Sequence, residues 1–387
     1  MNVWGHLAER FGSPKPQRKV LSLDGGGIRG IITLEILAAL EQQLAQRLGK
    51  GAAFRLCDYF DYVGGTSTGA IIAAGIARGM PVAELLEIYT QHGAELFDKA
   101  FVLTRLKNLY QSEPIAKIMR KKFGEGTTLE PQHLRCLLLA VTQNVTTDSP
   151  WPVSSNPLAK YNDASRSDCN LKVPLWQLVR ASTAAPVYFP PEVLQWDKSN
   201  PDKTFVFVDG GMTPYNNPAF LLFRMATDPA YRLNWAKGED KLLIVSVGTG
   251  AAASAGPGAT DAHRNLVSNV AHMPGGLMYA MLVDQDINCR TIGRCSHGAR
   301  IDSELGDMVP RDGAGGEIPR TQNLGRAFLY ARYNAELSVK GLTELGLPDI
   351  KPEDVQQLDS VEHVGELSRV GKAAAKQVTL AHLGPFV

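Results

Sequence analysis

A serine between glycines stands near the start of the chain in the pattern G-x-S-x-G. The pentapeptide GTSTG at residues 65–69 places Ser67 between Gly65 and Gly69. In hydrolases this pattern forms a sharp turn from a strand into a helix, and the small flanking residues let the serine hydroxyl project. The helix dipole and the free N–H groups there favour developing negative charge. The pattern indicates a nucleophilic serine, and a plain turn is the alternative reading of the five residues alone.

A second glycine cluster, GGGIRG at residues 25–30, fits G-x-G-x-x-G and directly follows an apolar run. A dinucleotide-binding turn would be followed, about 20 residues later, by a second strand that ends in an acidic residue. Here a helical pattern continues to Leu48 instead. We therefore favour an oxyanion hole, in which consecutive backbone N–H groups hold the negative oxygen of a reacting ester. Its candidate residues are Gly25, Gly26, Gly27 and Arg29.

A serine nucleophile needs a base, and Asp209 is the best placed candidate. In FVFVDGG at residues 205–211, an apolar strand pattern ends in this carboxylate. Active sites of open α/β sheets lie at the carboxyl ends of the strands, where Ser67 is also expected. An Asp-Gly pair taken alone is more often a tight turn. A Ser-Asp-His triad is the rival arrangement, and it would use His263, His272, His297, His363 or His382.

The elements that must position these residues are short apolar strands that alternate with helices. Strands are predicted at residues 19–23, 59–63, 135–141, 204–208 and 241–247, and helices at residues 31–48, 70–76, 82–96, 174–182 and 354–383. Two strand-turn-helix units within the first 80 residues predict a parallel sheet covered by helices.

Composition argues against several classes of function. The 387 residues are 44% hydrophobic and 20% charged, which is typical of a folded chain. Lys plus Arg number 40 and Asp plus Glu 39, which gives a net charge of +1. The chain therefore has no overall positive field that would bind a nucleic-acid polymer. Five scattered cysteines favour a reducing compartment, and Cys289 and Cys295 lack a second pair at zinc spacing. The cysteine spacing therefore predicts no metal site. Because neither a signal-peptide pattern nor a membrane span is evident, we expect a cytoplasmic protein.

Together the motifs resemble the patatin-like phospholipase family. The resemblance rests on residues 20–30, 64–69, 180–191, 209–211, 216–218 and 245–250, in that order. It implies a three-layer α/β/α fold with a mainly parallel central sheet. Residues 1–18 would form a lead, residues 19–250 the catalytic core, and residues 251–387 a helical extension that packs on the core or forms a cap or partner surface.

The resemblance also implies a role for each site residue. Ser67 would be the nucleophile and Asp209 its base, with Gly65 and Gly69 shaping the turn. The implied activity is a lipid acyl hydrolase of phospholipase A type that needs no cofactor, acts on membrane phospholipid or another lipid ester and touches the membrane peripherally. Three alternatives stay open. One is a nucleotide-activated phospholipase effector, with a small-molecule activator and a homo-oligomeric state. The others are a non-catalytic lipid-binding or storage protein and a Rossmann-type oxidoreductase.

Overall fold

A sheet of nine strands is the middle layer of the described chain, which in this computed structural model comprises residues 2–97, 113–186, 189–251, 266–302, 304–309 and 325–387. The strands are β1 Arg18–Leu23, β2 Tyr62–Thr66, β3 Leu137–Asn144, β4 Ser149–Ser154, β5 Glu192–Gln195, β6 Thr204–Asp209, β7 Leu242–Val247, β8 Arg294–His297 and β9 Leu329–Tyr333. The order of hydrogen-bonded neighbours is β5-β6-β3-β2-β1-β7-β9-β8. β6 and β2 pair with successive parts of the same edge of β3, and β4 pairs with its other edge. From β3 to β8 all pairs are parallel, whereas β4 and β6 run antiparallel to β3.

Helices cover both faces of the sheet. They are α1 Ala8–Phe11, α2 Gly30–Arg47, α3 Leu56–Tyr59, α4 Thr68–Ala77, α5 Val82–Phe97, α6 Glu113–Phe123, α7 Leu175–Ser182, α8 Ala219–Thr227, α9 Leu266–Ile292, α10 Val339–Glu344, α11 Pro352–Gln356 and α12 Val364–Ala375. Every residue of α4 is buried, as expected for a helix that is apolar on all sides. Within the described ranges no helix is both long and apolar enough to cross a membrane.

Alternate residues of the central strands supply two hydrophobic cores. In β1, Leu21 and Leu23 point to the core that contains α2, α4 and α5, whereas Val20 points to the core that contains α8 and Tyr330. Successive side chains of a strand face opposite sides, so two cores imply helices on both faces. The prediction of a three-layer α/β/α fold with a mainly parallel sheet is confirmed.

One predicted strand begins later than expected. The apolar run at residues 59–63 divides, since Leu56–Tyr59 forms the short helix α3 and β2 starts at Tyr62. The Asp58 carboxylate caps α3 by accepting the Arg55 N–H at 2.9 Å. Because this cap satisfies a free backbone donor, it stabilises a helical turn where the apolar pattern alone suggests a strand.

The chain after residue 250 contributes strands as well as helices. β8 and β9 extend the central sheet, and β9 pairs with β7 through Val245 opposite Ala331. The single helix predicted at residues 354–383 is divided among α11, α12 and a 3₁₀ segment, Leu380–Phe386. A purely helical extension is therefore too simple, and the boundary at residue 250 stays a prediction.

A buried ion pair joins β9, after residue 250, to the residue directly before the glycine cluster. Asp24, directly after β1, binds Arg332 of β9 through two hydrogen bonds, Nη1 to Oδ1 at 2.9 Å and Nη2 to Oδ2 at 2.5 Å. Arg332 Nη1 also donates to Ser246 Oγ at 2.6 Å. The two charged residues are 0% and 2% exposed. The pair therefore fixes the end of β1, where the glycine turn begins.

Removal of one partner should be much worse than removal of both. We expect Arg332→Met to lower the free energy of unfolding by about 3–5 kcal/mol, since it leaves the Asp24 carboxylate buried without a counter-charge. The double variant Asp24→Leu/Arg332→Met should recover most of that loss. Arg369→Met, which breaks an exposed pair with Asp349, should cost about 1 kcal/mol or less. Urea unfolding measures all three, and a double variant as unstable as Arg332→Met would contradict the expectation.

Candidate active site

Ser67 lies on a strained turn between β2 and α4. Its φ and ψ of 54° and −123° are unfavourable for a residue with a side chain. The flanking glycines make the turn sterically feasible, because a Cβ on Gly65 would collide with the backbone of Gly69, and one on Gly69 with the backbone of Leu23. The strand and helix expected around the G-x-S-x-G pattern are both present.

Asp209 meets Ser67 because two strands abut end to end along one edge of β3. β2 runs parallel to β3 and ends with Thr66 opposite Val141. β6 runs antiparallel to β3 and ends with Asp209 opposite Thr142. The two carboxyl ends therefore face each other, rather than lying side by side as in an all-parallel sheet. Ser67 Oγ donates to Asp209 Oδ2 at 2.5 Å, and the two residues are 8% and 6% exposed.

Backbone and hydroxyl groups hold both side chains in place. Asp209 Oδ1 accepts the Gly211 N–H at 2.7 Å, and the Asp209 N–H donates to Ala184 O at 3.0 Å. The Ser67 N–H donates to Ser182 Oγ at 3.0 Å, and this hydroxyl donates to the backbone oxygen of β3. Ser182 and Ala184 belong to the run at residues 180–191, which the family resemblance includes without a role for either. Residues 187–188 of that run lie outside the described residues.

Burial changes the acidity of the candidate base. It raises the pKa of Asp209 from 3.8 to about 6, while the Ser67 hydroxyl, the Gly211 N–H and the Arg180 cation act in the opposite direction. A carboxylate with this pKa is ionised at neutral pH, yet it accepts a proton more readily than an ordinary aspartate.

Arg180, on α7, is an unusual neighbour of this carboxylate. It is 1% exposed, and Nη2 donates to Pro190 O at 2.9 Å. Its Nε and Nη1 have no hydrogen-bond partner within the part of the chain that the structure describes. Burial lowers the pKa of Arg180, and the charges of Glu192 and Asp209 oppose that shift. Arg180 thus acts on Asp209 through its field, without a direct hydrogen bond.

The glycine cluster forms a turn beside Ser67. The Gly25 N–H donates to Asn216 O at 3.0 Å, so Gly25 contributes space rather than a free donor. A Cβ on Gly25 would lie 3.3 Å from Ser67 Cβ and would overlap the Asn216 side chain. Among the described residues, the N–H groups of Gly26 and Gly27 have no hydrogen-bond partner. These two groups are the donors that the turn can offer to an oxyanion.

Arg29 connects the glycine turn to the C-terminal part of the chain by hydrogen bonds. Its Nη1 donates to Gln356 O at 3.0 Å and its Nε to Gly26 O at 3.4 Å. The Ile28 N–H donates to Leu358 O at 2.9 Å. Burial lowers the pKa of Arg29 to about 10, and Asp24 opposes that shift, so the guanidinium stays charged at neutral pH. Its positive charge lies at the turn, while its hydrogen bonds go to backbone oxygens.

The histidines that a triad would use are placed elsewhere or lie outside the described part. His263 and the side chain of His272 belong to the latter group. The rings of His297 and His382 stack on each other with centroids 4.2 Å apart. His363 lies among acidic side chains. In the described residues, the group that accepts the serine hydroxyl is a carboxylate.

Comparison of the sequence with known protein families gives a match that includes the candidate site. The model of the patatin-like phospholipases matches residues 21–223. The chain belongs to the patatin-like phospholipase family. That match includes the serine turn, the glycine turn and Asp209, whereas Arg332, Gln356 and Leu358, which contact the glycine turn or the residue before it, come from beyond it.

Two relatives from Solanum species are similar to part of the chain. Patatin-17 of Solanum cardiophyllum is 34% identical over 244 residues, which are 60% of each chain. Patatin-1-Kuras 2 of Solanum tuberosum is 32% identical over 254 residues, 62% of this chain and 64% of that protein. The chain thus spans less than two thirds of these patatins.

Two solved structures cover more of the chain at lower similarity. Human GIVD cytosolic phospholipase A2 has a TM-score of 0.42 and 13% identity, covering 99% of this chain and 65% of its own. VipD from Legionella pneumophila has a TM-score of 0.37 and 14% identity, covering 92% and 67%. The family assignment depends on the sequence match, not on these structures.

The raised pKa of Asp209 predicts a stability effect that depends on pH. Above pH 6 the folded protein must keep this buried carboxylate ionised, which costs about 3 kcal/mol relative to an ordinary aspartate. Asp209→Asn should therefore raise the free energy of unfolding by up to that amount at pH 8. The gain should fall below about 1 kcal/mol at pH 4, because the folded carboxyl is then protonated and the pH is close to the ordinary pKa of 3.8 that applies in the unfolded chain.

Urea unfolding at the two pH values measures this difference. The matched control is Asp202→Asn, a change at an exposed carboxylate, which should leave the stability nearly equal at both. A stability gain of equal size at pH 8 and pH 4 would show that the effect does not come from ionisation of Asp209.

Proposed function

We propose that this protein is a lipid acyl hydrolase of phospholipase A type, which cleaves fatty acyl esters through Ser67 and Asp209. One observation carries the proposal: the 2.5 Å hydrogen bond from Ser67 Oγ to Asp209 Oδ2 at a strained strand-to-helix turn. Membership of the patatin-like phospholipase family supports lipid esters as the substrate class.

The proposed reaction has two halves. Ser67 Oγ attacks the ester carbonyl as its proton passes to Asp209, and the alcohol or lysolipid leaves with that proton. The N–H groups of Gly26 and Gly27, with the charge of Arg29 beside them, stabilise the oxyanion. Water then hydrolyses the acyl-enzyme and restores the serine, again with Asp209 as base. This chemistry needs no metal or cofactor.

The energetic cost of the site favours turnover over a purely structural or storage role. A non-glycine residue with the φ and ψ of Ser67 costs about 1–3 kcal/mol, and the buried Asp209 carboxylate adds a further cost at neutral pH. A protein that only holds lipid gains nothing from either. The substrate we propose is a lipid ester in a membrane, which the enzyme meets peripherally.

The direct test uses labelling and product release together. Wild type should react with a fluorophosphonate probe and release fatty acid from phospholipid vesicles. Ser67→Ala should lose both, with a rate loss that reaches about 10⁶-fold if the background permits, and Asp209→Asn should lose about 10⁴-fold. Ser165→Ala, at an exposed serine, should match wild type.

Two results would contradict the proposal. A wild type that is folded but neither labelled nor active on vesicles and on a soluble ester would reject the hydrolase function. Full activity of Asp209→Asn would reject the dyad and return the histidines as candidates for the base.

The pH dependence of the reaction should report the field of Arg180. We expect kcat/KM on a soluble ester to rise with pH through a midpoint near 6, since Asp209 must be ionised to accept the proton. Arg180→Gln should move the midpoint to higher pH, because the cation that lowers the pKa of Asp209 is removed. Glu192→Gln removes a carboxylate that faces Arg180 and should not move it upwards. An unchanged midpoint in Arg180→Gln would show that its field does not act on the base.

A further inference from the structure

The side chain of Asn216 lies in the candidate site without a role in the reaction described above. Asn216 is 4% exposed, and its backbone oxygen already holds the Gly25 N–H. The next residue, Asn217, has an ordinary structural role: its Oδ1 accepts the Ala219 N–H at 3.1 Å at the start of α8. The two adjacent amides differ in their oxygens, since that of Asn217 is used by the fold and that of Asn216 lies in the site, while Asn217 Nδ2 is also buried without a hydrogen-bond partner among the described residues.

The position of Asn216 Oδ1 is set by its neighbours. It lies 3.1 Å from the point that a Cβ would occupy on Gly211, and Asp209 Oδ1 lies 3.0 Å from the same point. It also overlaps the place of a Cβ on Gly25, to which Ser67 Cβ is 3.3 Å away. The oxygen therefore borders two Cβ positions, that of Gly25, which Ser67 also borders, and that of Gly211, which Asp209 also borders.

This oxygen is buried and has no hydrogen-bond partner among the described residues. An unpaired buried acceptor costs about 1–3 kcal/mol, so its presence beside reacting groups suggests a partner that arrives during the reaction. That partner must be a donor. The oxygens of an ester are acceptors only, whereas the water of the second half-reaction has two O–H groups, one for the base and one left over.

We propose that Asn216 Oδ1 accepts a hydrogen bond from the water that hydrolyses the acyl-enzyme. This role rests on the proposed function and makes Asn216 a catalytic residue of deacylation. One O–H proton of the water passes to Asp209 while its oxygen bonds to the acyl carbon, and the second O–H donates to Asn216. When the bond from the carbon to Ser67 Oγ breaks, the proton on Asp209 moves to that oxygen and the free fatty acid leaves.

The test separates the two halves of the reaction. With p-nitrophenyl butyrate, acylation appears as a burst of p-nitrophenol and deacylation as the steady state. Asn216→Leu removes the acceptor at similar size and keeps the backbone oxygen that binds Gly25. We expect its burst rate to stay within about threefold of wild type, its steady-state rate to fall about 10–100-fold, and the butyryl adduct to accumulate in intact-protein mass spectra.

Two further variants act as controls. Asn216→Asp, which keeps an oxygen at the same place, should restore most of the steady-state rate when it is measured at high pH. Asn217→Ala should lower thermal stability without changing the ratio of burst to steady state. If Asn216→Leu does not fold, Asn216→Ala removes the same acceptor without added bulk.

Other outcomes would overturn the proposal in distinct ways. An equal fall in both phases would mean that Asn216 supports the turn or the leaving alcohol rather than the water. An unchanged steady state would mean that the oxygen takes no part. If wild type itself gives neither a burst nor a fluorophosphonate adduct, the proposed hydrolase function fails, and the role of Asn216 fails with it.

Discussion

The abutment of β2 and β6 along one edge of β3 is the constraint on which the site depends. Backbone hydrogen bonds to β3 fix the ends of both strands, Thr66 opposite Val141 and Asp209 opposite Thr142. The separation of the serine and the carboxylate is therefore set by the sheet and not by flexible loops. A serine and a carboxylate on rigid elements keep their geometry with little entropic cost, which suits the proposed dyad.

The glycine turn depends on parts of the chain that are remote in sequence. Arg332 binds Asp24 at its start, and Gln356 and Leu358 accept hydrogen bonds from Arg29 and Ile28. All three partners come from beyond the family match at residues 21–223. A turn that exposes free N–H groups cannot stabilise itself with them, so its order must come from packing and ion pairs around it. The C-terminal region thus contributes the contacts that hold the glycine turn of the candidate site.

Much of the architecture follows from local sequence. The strand-turn-helix pattern around Ser67 and the apolar run before Asp209 predict their elements, because buried strands and turns have short-range signatures. The antiparallel direction of β6 has none, since an apolar run is the same in either direction. The ion pair of Asp24 and Arg332 joins residues 308 positions apart, and single-sequence patterns cannot couple them. Asn216 lies in the motif at residues 216–218 that supports the family resemblance, but only the fold distinguishes the surroundings of its side chain from those of Asn217.

The electrostatics support the proposal that Asp209 acts as the base without a histidine. A carboxylate paired directly with an arginine would have a low pKa and would be a poor base. Here Arg180 is close enough to lower the pKa of Asp209 yet makes no hydrogen bond to it, and burial dominates the balance, so the pKa stays at about 6. Two nitrogens of Arg180 have no hydrogen-bond partner among the described residues, and they cost stability, since buried donors lose their water. That cost is the consequence of keeping the cation at a distance: if Arg180 satisfied its nitrogens on Asp209, the protein would be more stable and the carboxylate less basic.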